Sequence, residues 1–133
     1  MTDDNCMDEP APARPFDPHV TGDRGESAAA QMAIDRGWTV IDRNRRMRNG
    51  EADIVGVRTA AGCRQGLLVE VKTSKRLDED LAARVTHDKR RRMFRMAAEL
   101  VDEQEVDEVV VVIVCVHLSA NTTALQWLEI DPF

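Results

Sequence analysis

Eight consecutive apolar residues, Val109 to Val116, constrain this 133-residue chain more than any other stretch. The run is β-branched nearly throughout, which favours a strand. A strand with one wet face alternates apolar and polar residues; this one does not, so both of its faces must be covered. It is also far short of the ~20 residues that cross a bilayer. The chain is therefore expected to build a sheet with helices packed against it, in a single domain large enough to need neither disulfides nor a structural metal.

Local signals supply the other layers. Residues 1–20 are acidic and Pro-rich, with no basic segment leading into an apolar one. They read as a disordered tail and not a signal peptide, leaving 21–133 as the domain. Thr21 or Asp23 can cap a helix over about 23–36, with Ala28, Met32 and Ala33 on one side and Gly37 as its stop. Trp38 to Ile41 reads as a first strand. The Arg43–Arg48 segment and the Asn49-Gly50 turn lead into a second strand over about 51–57. Thr59 to Gly66 is expected to connect it to a third over about 67–73. Residues 74–85 are charged and read as a mobile loop. Thr86 can cap a helix over about 87–103, in which Met93, Met96, Ala97, Leu100 and Val101 keep helical spacing. The apolar strand covers about 109–117, and alternating Leu125 to Ile130 is a last strand near an edge. The order is α-β-β-β-α-β-β, an α/β fold with a mixed sheet flanked by helices.

Charge is distributed unevenly. Net charge is −6 over the whole chain, but residues 1–35 carry −6, residues 36–95 carry +8 and residues 96–133 carry −8. Local field steers a polyanion to its site, so the middle segment is the one that suits nucleic acid. Basic clusters that merely balance acidic ones across the fold are the alternative. Cys6, Cys63 and Cys115 are widely spaced and lack a C-x-x-C, against zinc and a disulfide framework and in keeping with a reducing cytoplasm.

Within the cationic segment lie the residues with chemistry. In Leu67-Leu68-Val69-Glu70-Val71-Lys72-Thr73, Glu70 and Lys72 share one face of an otherwise apolar strand. Asp53, in Glu51-Ala52-Asp53-Ile54-Val55, occupies a similar frame on the expected neighbouring strand. A Glu and a Lys two apart are most often a solvated, cross-paired face. In combination, however, two carboxylates and a Lys on one sheet face suit a hard divalent cation beside a phosphate. Glu26 adds a third acid on the first helix. Glu51, by alternation on the same side as Asp53, either supports the site or is solvated at the strand end. His87 and His117 lack partners at ligand spacing, Trp38 and Trp127 read as core, and no aromatic residue is interleaved with the arginines, against a single-strand stacking groove.

In this order the residues resemble a known family. Gly22-Asp23-Arg24-Gly25-Glu26, Arg43-Asn44-Arg45-Arg46, Gly50-Glu51-Ala52-Asp53-Ile54-Val55, Val69-Glu70-Val71-Lys72-Thr73 and Lys89 are similar to the YraN-like family of uncharacterised bacterial proteins (uncharacterised protein family 0102). That family looks like part of the PD-(D/E)XK nuclease superfamily. Ala52 stands where the family has a larger aliphatic residue, and Ser74 where an Arg commonly follows.

The resemblance implies a restriction-endonuclease-like core and a metal-dependent endonuclease acting on DNA, with branched or single-stranded forms as candidate substrates and RNA left open. It implies that Asp53, Glu70 and the Val71 carbonyl ligate Mg²⁺ or Mn²⁺. Lys72 would act on the attacking water and the phosphate, and Glu26 as an outer acid. Arg43, Asn44, Arg46, Lys89, Arg90 and Arg92 are the expected nucleic-acid contacts. A non-catalytic nucleic-acid-binding protein of nuclease ancestry and a protein-interaction domain are the rival readings. Junction-cutting relatives imply a homodimer, for which Leu125, Trp127 and Ile130 offer an edge; alternatively Trp127 packs on the second helix of a monomer.

Overall fold

The computed structural model describes residues 18–76 and 78–131, so most of the expected tail lies outside the described residues. Helix α1 (Pro18–Asp35) precedes strands β1 (Thr39–Met47), β2 (Gly50–Ala60) and β3 (Cys63–Ser74). A short 3-10 turn (Leu81–Arg84), helix α2 (His87–Gln104) and strands β4 (Glu108–Leu118) and β5 (Thr123–Ile130) complete the domain. The five strands lie in sequence order in one sheet. All neighbours are antiparallel except β3 and β4, which run parallel because α2 crosses between them. The expected order of elements and the mixed α/β layering hold.

The helices cover opposite faces. α1 places Ala29, Ala30 and Ala33 against Ile54, Leu67, Val69, Val112, Val114 and Val116. α2 places Met93, Met96, Ala97 and Leu100 against Val55, Leu68, Val111, Ile113 and Cys115. Successive residues of β4 thus feed two cores in turn, which is why its run from Val109 to Val116 has no polar position. Each of its buried side chains is worth about 1.5–3 kcal/mol of apolar transfer. Among the described residues, no helix is long and apolar enough to cross a membrane.

Several local expectations are corrected. α1 begins at Pro18, so residues 18–20 belong to the helix, and Thr21 and Asp23 lie inside it instead of capping it. Gly37 does stop the helix: with φ +94° it turns the chain so that the Trp38 N–H reaches the Ala33 carbonyl at 3.1 Å. The arginine segment is not a connection but the second half of β1, which runs on to Met47. β2 and β3 both extend through the expected 59–66 connection and meet at a two-residue turn, Ala61-Gly62, where φ is +53° and +77°. Positive φ at both positions matches the twist of paired strands, and Ala61 gave no sign of it in the sequence. The segment expected as a mobile loop is held down by Leu81 and Val85, both buried, and by the Ser74 hydroxyl donating to Glu79 at 2.6 Å. Trp127 packs on the α1 side of the sheet rather than on α2, with the Arg36 guanidinium 4.6 Å from its ring centre.

Candidate active site

The site lies where β2 leaves β3. Their ladder runs from Ala60 opposite Cys63 to Ile54 opposite Val69 and stops there, one step before Asp53 would meet Glu70. β2 also loses its alternation here: Ala52 and Val55 both join the α2-side core, while Ile54 between them faces α1. On the other side of β2, Arg43 pairs with Ile54 and Arg45 with Ala52, which places Asn44 opposite Asp53. Asn44 has φ +53°, in the left-handed region that Asn tolerates better than a β-branched residue. Asn44 and Asp53 together make the bend.

The bend turns the Asp53 side chain onto the edge that β3 exposes. Its Oδ2 accepts the Val71 N–H at 2.7 Å, replacing the ladder bond that β2 no longer supplies. In an extended strand a residue's N–H and C=O point to the same side. The Val71 carbonyl therefore opens towards the same gap as Asp53. Burial first, and the neighbouring Glu70 second, push the Asp53 carboxyl up to about 7 from 3.8; the Val71 N–H and Lys89 pull it down, and Glu26 raises it further.

Glu70 is 7% exposed and is held from two sides. Lys72 Nζ lies 3.2 Å from its Oε2, and Lys89 Nζ lies 3.5 Å from its Oε1. Lys72 comes from the same strand face, as alternation requires. Lys89 comes from the first turn of α2, where the Thr86 hydroxyl caps the helix by accepting the Lys89 N–H at 3.2 Å. The expectation that Thr86 caps this helix holds, and the cap positions the second lysine.

Glu26 reaches the corner from α1. Its neighbour Gly25 makes that approach possible, because a Cβ there would stand 2.0 Å from Thr73 Oγ1. The Glu26 Oε1 is buried with no hydrogen-bond partner, and the nearest cation is Arg43 Nη2 at 3.6 Å. A buried carboxylate oxygen left in this condition is costly and calls for a water or a cation. Among the described residues no three His, Cys, Asp or Glu side chains form a ready metal cage. The available set is two carboxylates and a main-chain carbonyl, which suits Mg²⁺ because that ion keeps several of its waters.

The expected binding residues divide. Lys89 belongs to the acid corner itself. Arg43 is engaged with Glu26, and Arg45 with Glu103 at 2.8 Å. Arg46 and Arg92 are exposed, as is Asn44 at the bend. Arg90 donates through Nε to the Val85 carbonyl at 3.3 Å and is half-buried, so it braces the helix start and is not an open contact. Glu51 is exposed, the solvated alternative. Sequence reasoning missed Glu99, whose carboxylate accepts the N–H groups of Arg48 and Asn49 and the Asn49 Nδ2. Burial disfavours its charge, yet these donors hold it below its ordinary value and fasten the β1–β2 turn to α2. Only the tertiary register brings those residues together, and no sequence signal announces it.

A bent strand, paired acids and flanking lysines on an α/β sheet define the corner. Comparison with known proteins places the chain by descent. The uncharacterised protein family UPF0102 matches residues 25–116, which include every residue of the corner, and the chain belongs to that family. It is 34% identical to a UPF0102 protein of Synechococcus sp. strain CC9902 over 117 residues, covering 84% of this chain and 93% of that one. A Clavibacter michiganensis UPF0102 protein is 54% identical over 52 residues, 39% of this chain and 41% of its own. One from Corynebacterium glutamicum is 43% identical over 74 residues, 56% of this chain and 58% of its own.

Proposed function

We propose that the protein has a restriction-endonuclease-like core and is a divalent-metal-dependent nuclease acting on DNA, branched or single-stranded forms included. The observation that carries this reading is the Asp53 corner. There burial, and the neighbouring Glu70 after it, push Asp53 to about 7, while Glu26 presents a buried oxygen without a hydrogen-bond partner. Asp53, Glu70 and the Val71 carbonyl would hold Mg²⁺ or Mn²⁺, which supplies Lewis acidity and a more acidic water when bound.

The chain's own residues divide the remaining work. Lys72 is long enough to leave Glu70 Oε2 for a phosphate oxygen, where its charge offsets the negative charge developing there. Lys89 keeps one cation on Glu70 while Lys72 does so. Glu26, through an Oε1 that has no hydrogen-bond partner, accepts a hydrogen bond from water in the corner and orients it. Arg43 holds Glu26 at that distance.

One observation favours a second reading. Glu70 is already neutralised by two lysines, which is how a non-catalytic nucleic-acid-binding descendant would keep a buried acid. Incubation with plasmid, single-stranded and four-way-junction DNA in Mg²⁺ and in Mn²⁺ separates the two. Cleavage that Lys72→Ala reduces by about 100-fold or more supports the nuclease; binding without any such cleavage supports the descendant. Cutting two strands symmetrically needs two sites related by a twofold axis, so a homodimer is part of the proposal. The outer strand β5, with Leu125 39% exposed, offers an edge for it. Sedimentation as a monomer at high micromolar concentration would remove that part alone.

A further inference from the structure

Helix α2 carries three arginines that the acid corner does not use. Arg91, Arg92 and Arg95 are exposed and line one shallow depression together with Asp88. Their side chains make no ion pair or hydrogen bond with any described residue. By contrast Arg43, Arg45, Arg76 and Arg84 each meet a carboxylate, and Arg90 is tied to the Val85 carbonyl. Three like charges within two helical turns repel one another by a few tenths of a kcal/mol per close pair, so the helix is less stable for carrying them.

Their position is informative. At 3.6 residues per turn Asp88, Arg92, Arg95 and Glu99 fall on one stripe of the helix, with Arg91 at its margin. Glu99, at one end of the stripe, is fastened to the β1–β2 turn, and Lys89, beside its other end, touches Glu70. The free arginines therefore lie between the acid corner and the hairpin tip that carries Arg48. From Lys89 to Glu99 the helix rises about 15 Å. At roughly 3.4 Å of axis per nucleotide that length covers about four nucleotides of a duplex strand. Guanidinium forks suit phosphate oxygens two at a time, and Asp88 is the one acid that lines the depression with these three.

We infer that Arg91, Arg92 and Arg95 form a phosphate track that holds the DNA backbone on one side of the scissile bond, over about four nucleotides. The inference rests on reading the Asp53 corner as a nuclease site, and it assigns the grip to this trio instead of to Arg90.

The test uses the full chain in EDTA, with a labelled DNA duplex and its single strand, and anisotropy titrations from low to moderate salt. Arg91→Gln/Arg92→Gln/Arg95→Gln should weaken binding at low salt by about 10-fold or more and flatten the log–log salt slope by about 2–3. Arg90→Gln, and the pair Arg58→Gln/Arg64→Gln at the far end of the sheet, should leave the slope within about one of wild type. Should the triple variant fail to fold, Arg92→Gln and Arg95→Gln singly should each lower the slope by about one. A triple variant with the wild-type slope, a far-end pair that loses as much, or stronger binding to the matching RNA would overturn the inference. Cleavage in Mg²⁺ is read separately. A wild-type slope in the triple variant of an active nuclease removes the track and spares the active site. A full track effect in a protein that cuts nothing does the reverse.

Discussion

The two ends of the β2–β3 pair are built to different rules. At one end the ladder is continuous from Ile54 opposite Val69 to Ala60 opposite Cys63 and closes in the tightest turn two strands allow. Leu67 and Val69 are buried there, and Arg58 is satisfied by Gln65 at 2.8 Å. At the other end the same strands part. Asn44 takes a left-handed backbone, Asp53 replaces a ladder bond, and Glu70 and Lys72 stand where apolar residues would pack. A regular ladder satisfies every backbone group and leaves nothing over for chemistry. Opening it by one step frees the Val71 edge and gathers three acids, at an electrostatic cost that the first end never meets.

The largest test of that contrast is Asp53→Asn. The folded-state carboxyl of Asp53 is raised to about 7 from 3.8, so folding favours its protonated form. Its contribution is fully present below pH ~4 and is lost as pH rises through about 7. Asn keeps an acceptor for the Val71 N–H and carries no charge. The metal-free variant should therefore exceed wild type by a few kcal/mol at pH 8 and match it near pH 4, by denaturant titration at both values. On the proposed metal reading, the affinity of the wild type for Mg²⁺ should also fall about 10-fold per unit below pH 7, because the ion must displace a proton. Equal stability of the two proteins at pH 8 would show that the opened end carries no such cost.

Gly25→Ala comes next. Its Cβ would meet Thr73 Oγ1 at 2.0 Å, with Thr73 Cβ and Cγ2 just beyond, so rotating Thr73 does not clear the overlap. A loss of about 1–3 kcal/mol is expected, together with displacement of Glu26. Adding Thr73→Ala should restore most of the stability in a double-mutant cycle; additive losses would mean that α1 is positioned by something else.

The smallest effect belongs to the closed end. Ala61 holds φ +53°, where a Cβ costs about 1 kcal/mol. Ala61→Gly should raise stability by about 0.5–1 kcal/mol in thermal melts and leave DNA binding and metal affinity unchanged. A change in either would mean that the two ends are mechanically coupled.

Much of the frame could be read directly. The unbroken apolar run within β4 required cover on both faces, Thr86 marked the start of α2, and Gly37 marked the end of α1. Those signals are local: each rests on burial or backbone geometry that a few adjacent residues determine. The candidate residues Asp53, Glu70, Lys72 and Glu26 were also visible as charges in apolar frames. Simple alternation failed between Ala52 and Val55, because a bend depends on what the neighbouring strand does and not on the strand's own period. The arginines of β1 looked like a loop because a charged strand half covered by acidic partners has no apolar stripe to reveal it.

By itself, then, the sequence determined the order of elements, the doubly covered sheet and the identity of the charged residues. Only the tertiary structure decided which of them meet. The parting of β2 from β3 set Asp53 against Val71 N–H, the α2 crossover brought Lys89 to Glu70, and the close contact of Gly25 with Thr73 delivered Glu26. The physical reason is range. Propensity and periodicity act over a few residues, whereas the burial that chiefly pushes Asp53 to about 7, and the charges of Glu70, Glu26 and Lys89 that adjust it, come from β3, α1 and α2, which are adjacent only once the chain has folded.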